Sequence, residues 1–310
     1  MLLLAGLATF SSCKKKEETN PDVPAAQSLQ TEDNNDVKTE ADQVNSDIND
    51  ALENFPSLRG GRVGADSGTG AKQICGCSIT SDLANKKITL NFDGTTPCGS
   101  PSRSRGGKIE VQLVRGARWS DLNAMLKVTM TNYKVTRLET QKSVTFNGVK
   151  TLTNMRGWNW LGYLAGTDSI VYKERGKDIQ AVFNNGGTHV FSLYRSTSNR
   201  LRDRAGLKRV YIRATGDTTY QGLQNVDTYG TNRNGQAFTG QLLTPWSSNS
   251  YCGFWRPTQG EMVYKAAGNS LTLTAGVNES GNVDTRDCAY GYKVAWQLST
   301  GTSGSVVKSY

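Results

Sequence analysis

The segment 87-KITLNFDG-94 shows most clearly the strand-and-turn pattern that recurs along this chain. Polar and apolar residues alternate from Lys87 to Phe92, which is typical of a strand that buries one face. Asp93-Gly94 then supplies a turn, because both residue types tolerate the backbone angles of tight turns. The stretches 108–114 and 127–135 alternate in the same way. We therefore expect consecutive strands that are joined by short turns.

Two further turn signals and the composition extend this interpretation along the chain. Asn184-Asn185-Gly186-Gly187 and Asn232-Arg233-Asn234-Gly235 are typical of β-hairpins, because Asn and Gly accept the positive φ of hairpin turns. The chain of 310 residues is rich in glycine and poor in proline, and its mean hydropathy is −0.51. The sequence predicts a mainly β body over residues 71–310.

An amphipathic helix is predicted over residues 37–56, before the β body. Its apolar residues recur at steps of three and four, which places them on one helix face that ends at Pro56. They are Val37, Ala41, Val44, Ile48, Ala51 or Leu52, and Phe55. We expect this face to pack on the β body; binding of a partner helix is the alternative. The polar stretch 13–36 predicts a disordered tether, and residues 57–70 predict a glycine-rich linker.

The β body contains two stretches that resemble each other in sequence. Ile88-Thr89-Leu90 precedes Cys98 much as Leu271-Thr272-Leu273 precedes Cys288. After each cysteine, another alternating stretch follows, at 107–113 and at 292–298. This internal similarity predicts two related, β-sandwich-like halves, at about 71–195 and 196–310.

The N-terminal residues predict an export signal and a lipid anchor. The apolar run Met1–Phe10 is too short to span a bilayer and suits a signal peptide over residues 1–12. No basic stretch precedes the run, so we expect this signal peptide to be truncated at its start. Phe10-Ser11-Ser12-Cys13 resembles a bacterial lipobox, which would make Cys13 the acylated N-terminus of the mature protein. Lys14-Lys15-Lys16-Glu17-Glu18 resembles the export tag of surface lipoproteins in the Bacteroidota.

Export to the cell surface implies an oxidising compartment, in which the remaining five cysteines are expected to form disulfides. The preferred pairs are Cys77–Cys98 and Cys252–Cys288, because each pair brackets one strand and its turn. Cys75 is then free, or it replaces Cys77 as the partner of Cys98. A zinc site is disfavoured, because the chain has one histidine and a Cys-x-Cys spacing instead of Cys-x₂-Cys.

Several of these stretches together resemble an uncharacterised family of Bacteroidota lipoproteins. They are the helix, ITLNF (88–92), Cys98, RSRGGKI (103–109), NYKVT (132–136), TLTN (151–154), GTNRNGQAFT (230–239) and the two late cysteines. The resemblance covers most of residues 37–298. It departs in the late turn, where the family has a YGDGxCD-like stretch and this chain has the longer segment 275–288. No activity is assigned to that family, so the resemblance implies architecture and location: an outer-membrane lipoprotein that faces the cell exterior.

The sequence holds little sign of catalytic chemistry. His189 is the one imidazole, and it follows a hairpin turn without any G-x-S-x-G motif, so we expect an ordinary strand residue. No Walker or Rossmann glycine pattern stands at a strand–helix junction, and no cofactor is expected. A carboxylate pair for glycoside hydrolysis has no fixed spacing, and nothing singles out two acids. The candidates are Asp93, Glu110, Asp168, Glu174, Asp178, Asp217, Asp227, Glu261, Glu279 and Asp284.

Two groups of residues are candidates for ligand binding. Trp158, Trp160 and Tyr163 can form an aromatic platform for sugar rings, or they can belong to a buried sheet face. Arg200, Arg202 and Arg204 lie in a basic run that also contains Arg195, Lys208, Arg209 and Arg213. With a formal net charge of +9, this run favours anionic glycan or lipid phosphate, and a solvated hairpin is the alternative. No nucleic-acid motif accompanies it.

The sequence thus predicts a non-enzymatic lipoprotein that a lipid at Cys13 anchors to the outer membrane. Its expected role is the binding of a ligand, with neutral or anionic glycan as the first choice, or a structural role in the envelope. The alternative is a glycan-active hydrolase that uses an unidentified Asp/Glu pair.

Overall fold

A computed structural model describes residues 37, 40, 43–60, 73–99, 102–157, 160–204, 206–253 and 256–310; for Trp160 it describes the backbone alone. Strands account for 60% of the structure and helices for 9%, which confirms the predicted mainly β class. The predictions for the signal peptide, for Cys13 and for the tether lie outside the described residues. So does most of the predicted linker, at 61–70.

The described helices are short. Helix α1 covers residues 43–53, with residues 37 and 40 also helical, and so follows the predicted amphipathic segment. Helix α2, Pro56–Arg59, begins where that helix was predicted to end, because the fixed φ of proline suits the first turn of a helix. Helix α3 is Trp160–Ala165.

Fifteen strands are described, and the alternating segments of the sequence are among them. The first seven are β1 (Cys77–Asp82), β2 (Lys87–Asp93), β3 (Arg103–Arg115), β4 (Met125–Arg137), β5 (Ser143–Asn154), β6 (Ser169–Phe183) and β7 (Thr188–Arg204). The others are β8 (Leu207–Gly216), β9 (Thr218–Tyr220), β10 (Leu223–Thr231), β11 (Ala237–Asn249), β12 (Gln259–Ala266), β13 (Asn269–Val277), β14 (Gly291–Gln297) and β15 (Ser303–Ser309). Both predicted hairpin turns are confirmed, between β6 and β7 and between β10 and β11.

All these strands belong to one antiparallel sheet. Neighbours in sequence pair from β1 to β7 and again from β10 to β15. Strands β8 and β10 both lie between β7 and β11. Strand β8 pairs with the C-terminal parts of β7 and β11, and β10 pairs with their N-terminal parts. Strand β9 pairs with β10 alone. The prediction of two related halves is not confirmed, because the sheet continues from β1 to β15.

The sheet encloses helix α1. Apolar side chains from β2–β7, from β11–β15 and from α1 form one hydrophobic cluster, which requires the sheet to curl around the helix. Val44, Ile48 and Leu52 are at most 2% exposed, and burial of each contributes about 1.5–3 kcal/mol. The amphipathic face therefore packs on its own domain, as we expected.

Buried charges also fix α1 inside the sheet. Lys150 Nζ lies 2.6 Å from Glu174 Oε1 and donates a hydrogen bond of 2.9 Å to Asn45 Oδ1 on α1. Asn45 Nδ2 in turn contacts both carboxylate oxygens of Glu174 at 3.3 Å. Arg195 is directly opposite Glu174 on the next strand and pairs with buried Asp227 at 3.3 Å. Burial opposes ionisation of Glu174, but the nearby Lys150 and Arg195 hold its pKa below the usual range.

The disulfides correct one predicted pairing and confirm the other. Cys75 is bonded to Cys98, so the preferred Cys77–Cys98 pair is wrong and the stated alternative holds. The reason is that Cys77 begins β1, pairs with Phe92 and packs against the core, whereas Cys75 lies in the preceding turn. Cys77 is a free thiol whose pKa burial raises to about 11. The Cys252–Cys288 bond is confirmed.

Candidate functional site in the cleft over helix α1

A cleft of about 780 Å³ opens where strands from the two ends of the sheet meet over helix α1. One wall comes from α1, β3, the turn after β4 and the Cys75–Cys98 disulfide, and the facing wall comes from β11 and β13–β15. Ligand pockets for small molecules occupy about 300–1,000 Å³, so the cleft has the size of a binding site. Its polar and aromatic lining residues are Glu40, Gln43, Asp47, Asp50, Gln73, Ser102, Arg103, Arg105, Arg137, Glu139, Thr140, Trp246, Tyr292, Ser309 and Tyr310.

The polar wall consists of carboxylates from α1 that pair with arginines from β3. Glu40 pairs with Arg103, and Asp47 Oδ2 accepts a hydrogen bond of 2.5 Å from Arg105 Nη1. Arg105 also donates to the backbone oxygen of Cys75 at 3.0 Å. Because one guanidinium contacts α1 and the disulfide segment together, this wall is held in a fixed arrangement.

Asp47 is a buried carboxyl group of this wall with a raised pKa. Burial raises its pKa to about 6, although Arg105 and a hydrogen bond of 3.0 Å from Gln43 Nε2 both favour the charged form. At neutral pH the carboxylate is therefore ionised, and it takes up a proton in mildly acidic solution. A carboxyl group with this pKa in a cleft is also suited to act as a general acid.

The opposite wall is aromatic. The rings of Tyr292 and Tyr310 lie 5.7 Å apart between centroids and are half-buried. Trp246 also lines this wall but is 8% exposed, so the two tyrosines supply most of its aromatic surface. Tyr310 Oη donates a hydrogen bond of 2.5 Å to the oxygen of Pro257 and accepts one of 3.3 Å from the Gly276 nitrogen. Burial raises the pKa of Tyr310, so its hydroxyl stays protonated. These bonds fix the orientation of its ring in the cleft.

The charges of the cleft nearly balance. Four carboxylates (Glu40, Asp47, Asp50 and Glu139) and three guanidinium groups (Arg103, Arg105 and Arg137) line it. Such a site does not attract a polyanion. It offers planar hydrogen-bonding groups on one wall and aromatic faces on the other, an arrangement that suits an uncharged ligand with many hydroxyl groups.

The predicted arginine group lies elsewhere. Arg200, Arg202 and Arg204 alternate along β7 with inward-facing residues such as Leu201, so they occupy the outer face of the sheet. Arg204 pairs with Asp287, and the guanidinium of Arg202 lies 5.0 Å from the ring centroid of Tyr211. Arg195, which the basic run also included, points inward to Asp227 instead.

The predicted aromatic platform is not seen among the described side chains. Tyr163 lies on α3 with an exposed fraction of 8%, so it presents little ring surface to a ligand. Trp158 and the side chain of Trp160 lie outside the described residues. The structure brings neither Tyr163 nor the three outer arginines into the lining of the cleft.

The histidine and two of the candidate acids are structural. His189 is a buried residue of β7, as expected, with its ring 4.6 Å from that of Phe238 between centroids. Burial lowers its pKa to about 4, so the imidazole is neutral. Glu174 and Asp227 form internal ion pairs with Lys150 and Arg195.

Within the described ranges, no helix has the length and apolar character needed to cross a bilayer. Those ranges also contain no cluster of three or more His, Cys, Asp or Glu side chains that could hold a metal ion.

Comparison with known proteins finds no matching family model, no similar curated protein and no similar solved structure. The cleft and the N-terminal sequence motifs are therefore the observations from which a function can be inferred.

The residues of the cleft were missed in the sequence. Glu40 and Asp47 lie on a helix outside the β body, and both are buried beside its apolar stripe. Tyr292 and Tyr310 lie far along the chain from them, and only the curl of the sheet brings these groups together. The one available signal is the run of acids at helical spacing, Glu40, Asp47 and Asp50, on α1.

Proposed function

We propose that this protein is an outer-membrane lipoprotein, anchored by acylation of Cys13 and exposed at the cell exterior, that binds a neutral glycan in the cleft. The cleft, with its aromatic wall facing paired carboxylates and guanidinium groups, is the observation that supports binding. The anchor and the location rest on the lipobox and on the charged tag that follows it. Acyl labelling that persists in Cys13→Ala would contradict the anchor.

The chemistry of sugars explains the preference for a glycan. A sugar ring has an apolar C–H face that packs on Tyr or Trp, and a rim of hydroxyls that need donors and acceptors together. The exposed Gln43 and Glu139 and the half-buried Arg137 line the same wall and supply the donors and acceptors. The near balance of charge in the cleft favours a neutral chain over a uronic or sulfated one.

A panel of neutral and acidic oligosaccharides tests this proposal. Neutral chains should bind, and Tyr292→Ala should weaken binding about tenfold, because the lost ring contact contributes on the order of 1–1.5 kcal/mol. Arg202→Gln, on the outer face, is the matched control and should leave the affinity unchanged. Binding that depends on Arg202 and not on Tyr292 would contradict the assignment to the cleft. No binding to any member would favour a structural role in the envelope.

A hydrolase acting on glycans is the second candidate, and one observation favours it. Asp47 has a pKa of about 6 and shares the cleft with a second α1 carboxylate, Glu40, as a general acid and its partner would. Release of reducing ends from a bound oligosaccharide, abolished by Asp47→Asn, would support the hydrolase. Binding without release would leave the non-enzymatic proposal in place.

A further inference from the structure

Four exposed leucines lie in three segments of the chain: the turn before β4, helix α3 and the start of β8. Leu122, Leu161, Leu164 and Leu207 have exposed fractions of 60%, 75%, 41% and 55%. Single exposed leucines are common on soluble proteins, but a group of them marks a surface that meets another apolar phase. The question is therefore whether these four lie together.

Two glycines show that these segments are in contact. A Cβ atom on Gly157 would lie 3.2 Å from the backbone nitrogen of Leu122. On the other side of α3, a Cβ atom on Gly166 would lie 2.9 Å from the Leu201 oxygen and 3.9 Å from Lys208 Nζ. Helix α3, which carries Leu161 and Leu164, therefore lies between the loop of Leu122 and the β7–β8 turn. We call residues 114–124, 155–157, 160–169, 200–204 and 206–210 together the basic edge.

Cations surround these leucines. The basic edge contains eight Arg and Lys residues and three Asp residues, so it carries a formal charge of +5, more than half of the +9 of the chain. Arg118, Arg156 and Arg202 are exposed. Among the carboxylates, Asp121 accepts hydrogen bonds from two backbone amides and Asp203 pairs with Lys208 at 2.7 Å. Arg204 pairs with Asp287, which lies outside the edge, so the edge and this acid together carry a formal charge of +4.

We propose that the basic edge docks on the surface of a bilayer that contains anionic lipids. The leucines would enter the boundary between headgroups and acyl chains, and the surrounding cations would contact phosphate-bearing headgroups. A second copy of this chain presents the same positive edge, so charge opposes self-association here. A soluble polyanion matches the cations but provides no apolar phase for the leucines. This surface is separate from the cleft, and the inference does not rest on glycan binding.

The test measures how much protein partitions onto vesicles. The full chain is used with Cys13→Ala, so that no acyl group anchors it and the residues before position 13 are the same in every variant. Vesicles of phosphatidylcholine are compared with vesicles that also contain phosphatidylglycerol. Arg202→Gln with Lys208→Gln should weaken partition about thirtyfold, since each cation contributes about fivefold. Leu161→Glu with Leu207→Glu should weaken it by at least about tenfold.

Matched variants separate this effect from a general change of the protein. Lys127→Gln and Leu243→Glu alter an exposed cation on β4 and an exposed leucine on β11, and both should bind as the parent does. Arg202→Lys with Lys208→Arg keeps the charge and should retain binding. Urea midpoints of all variants verify that they are folded.

Three results would overturn the proposal. The parent chain shows no preference for phosphatidylglycerol vesicles, or the edge variants bind as well as Lys127→Gln and Leu243→Glu. Alternatively, the edge variants lose affinity for a soluble sulfated polysaccharide, or lose self-association, while vesicle binding is unchanged. In that last case the edge recognises a glycan or a second copy of the chain.

Discussion

Removing the charge of Glu174 should destabilise the fold strongly. Lys150 Nζ lies 2.6 Å from Glu174 Oε1, and both side chains are at most 2% exposed. In Glu174→Gln the ammonium group of Lys150 stays buried without its counter-charge, and Arg195 loses the carboxylate directly opposite it. Breaking a buried ion pair on one side costs about 3–5 kcal/mol, and we expect a decrease of this size in the free energy of unfolding.

Equilibrium urea unfolding of the full chain, with its disulfides intact, measures this change. Glu279→Gln is the matched control, because the Glu279–Arg286 pair is exposed and solvent-screened pairs of this kind contribute little to stability. Lys150→Met combined with Glu174→Leu should recover most of the stability, because the pair is then removed from both sides.

The refuting result is a Glu174→Gln variant that loses no more stability than Glu279→Gln. The internal charges would then be hydrated in solution, and they would not hold α1 inside the sheet. Since α1 forms one wall of the cleft, this outcome would also remove the reason to regard the cleft as a fixed binding site.

Three further predictions concern titratable groups. The unfolded chain protonates His189 near pH 6.5 and the folded protein only near pH 4, so stability due to this residue falls as the pH drops through that interval. In urea unfolding, the free energy of unfolding of His189→Phe should therefore rise by about 3 kcal/mol relative to that of the parent between pH 6.5 and 4. A difference between the two proteins that does not change with pH would contradict this. Asp47 has the opposite sign, because its folded pKa of about 6 exceeds the ordinary value of 3.8. The Asp47 carboxyl stabilises the fold fully below pH 3.8. The parent's free energy of unfolding should fall by about 3 kcal/mol relative to that of Asp47→Asn as the pH rises through 6. The Cys77 thiol, with a pKa of about 11 against 9.0, should react with a disulfide reagent at pH 8 about a hundredfold more slowly than in urea; equal rates would show that it is not buried.

The strands could be predicted from the sequence because one face of the sheet is buried. From Lys87 to Phe92 the inward side chains are apolar and the outward ones polar, so the residues alternate cleanly. The predicted strand therefore agrees with the observed β2. The pattern fails where the inner face carries charge. Glu174 and Arg195 face inward, yet in the sequence they are indistinguishable from the exposed Arg200 and Arg202. Their burial depends on each other and on Asn45, which no local pattern reveals.

The disulfide and the cleft show the same limit at longer range. Cys75 and Cys77 are two residues apart, and the spacing to Cys98 does not discriminate between them; the turn at Gly76, with a φ of 65°, and the start of β1 do. The cleft depends on the curl of the whole sheet, which brings Tyr292 and Tyr310 opposite Asp47. Sequence periodicity describes single strands and does not contain that curl.

The position of the bound glycan on the protein can be measured directly. Hydrogen–deuterium exchange of the protein is compared with and without the neutral oligosaccharide that binds most tightly in the panel. Protection is predicted in the segments that line the cleft, namely 43–50, 102–105, 137–140 and 309–310. It should be lost in Tyr292→Ala at the same ligand concentration. Protection confined to the outer face of β7 and β8, around Arg200 and Arg202, would show that the cleft over α1 is not the binding site.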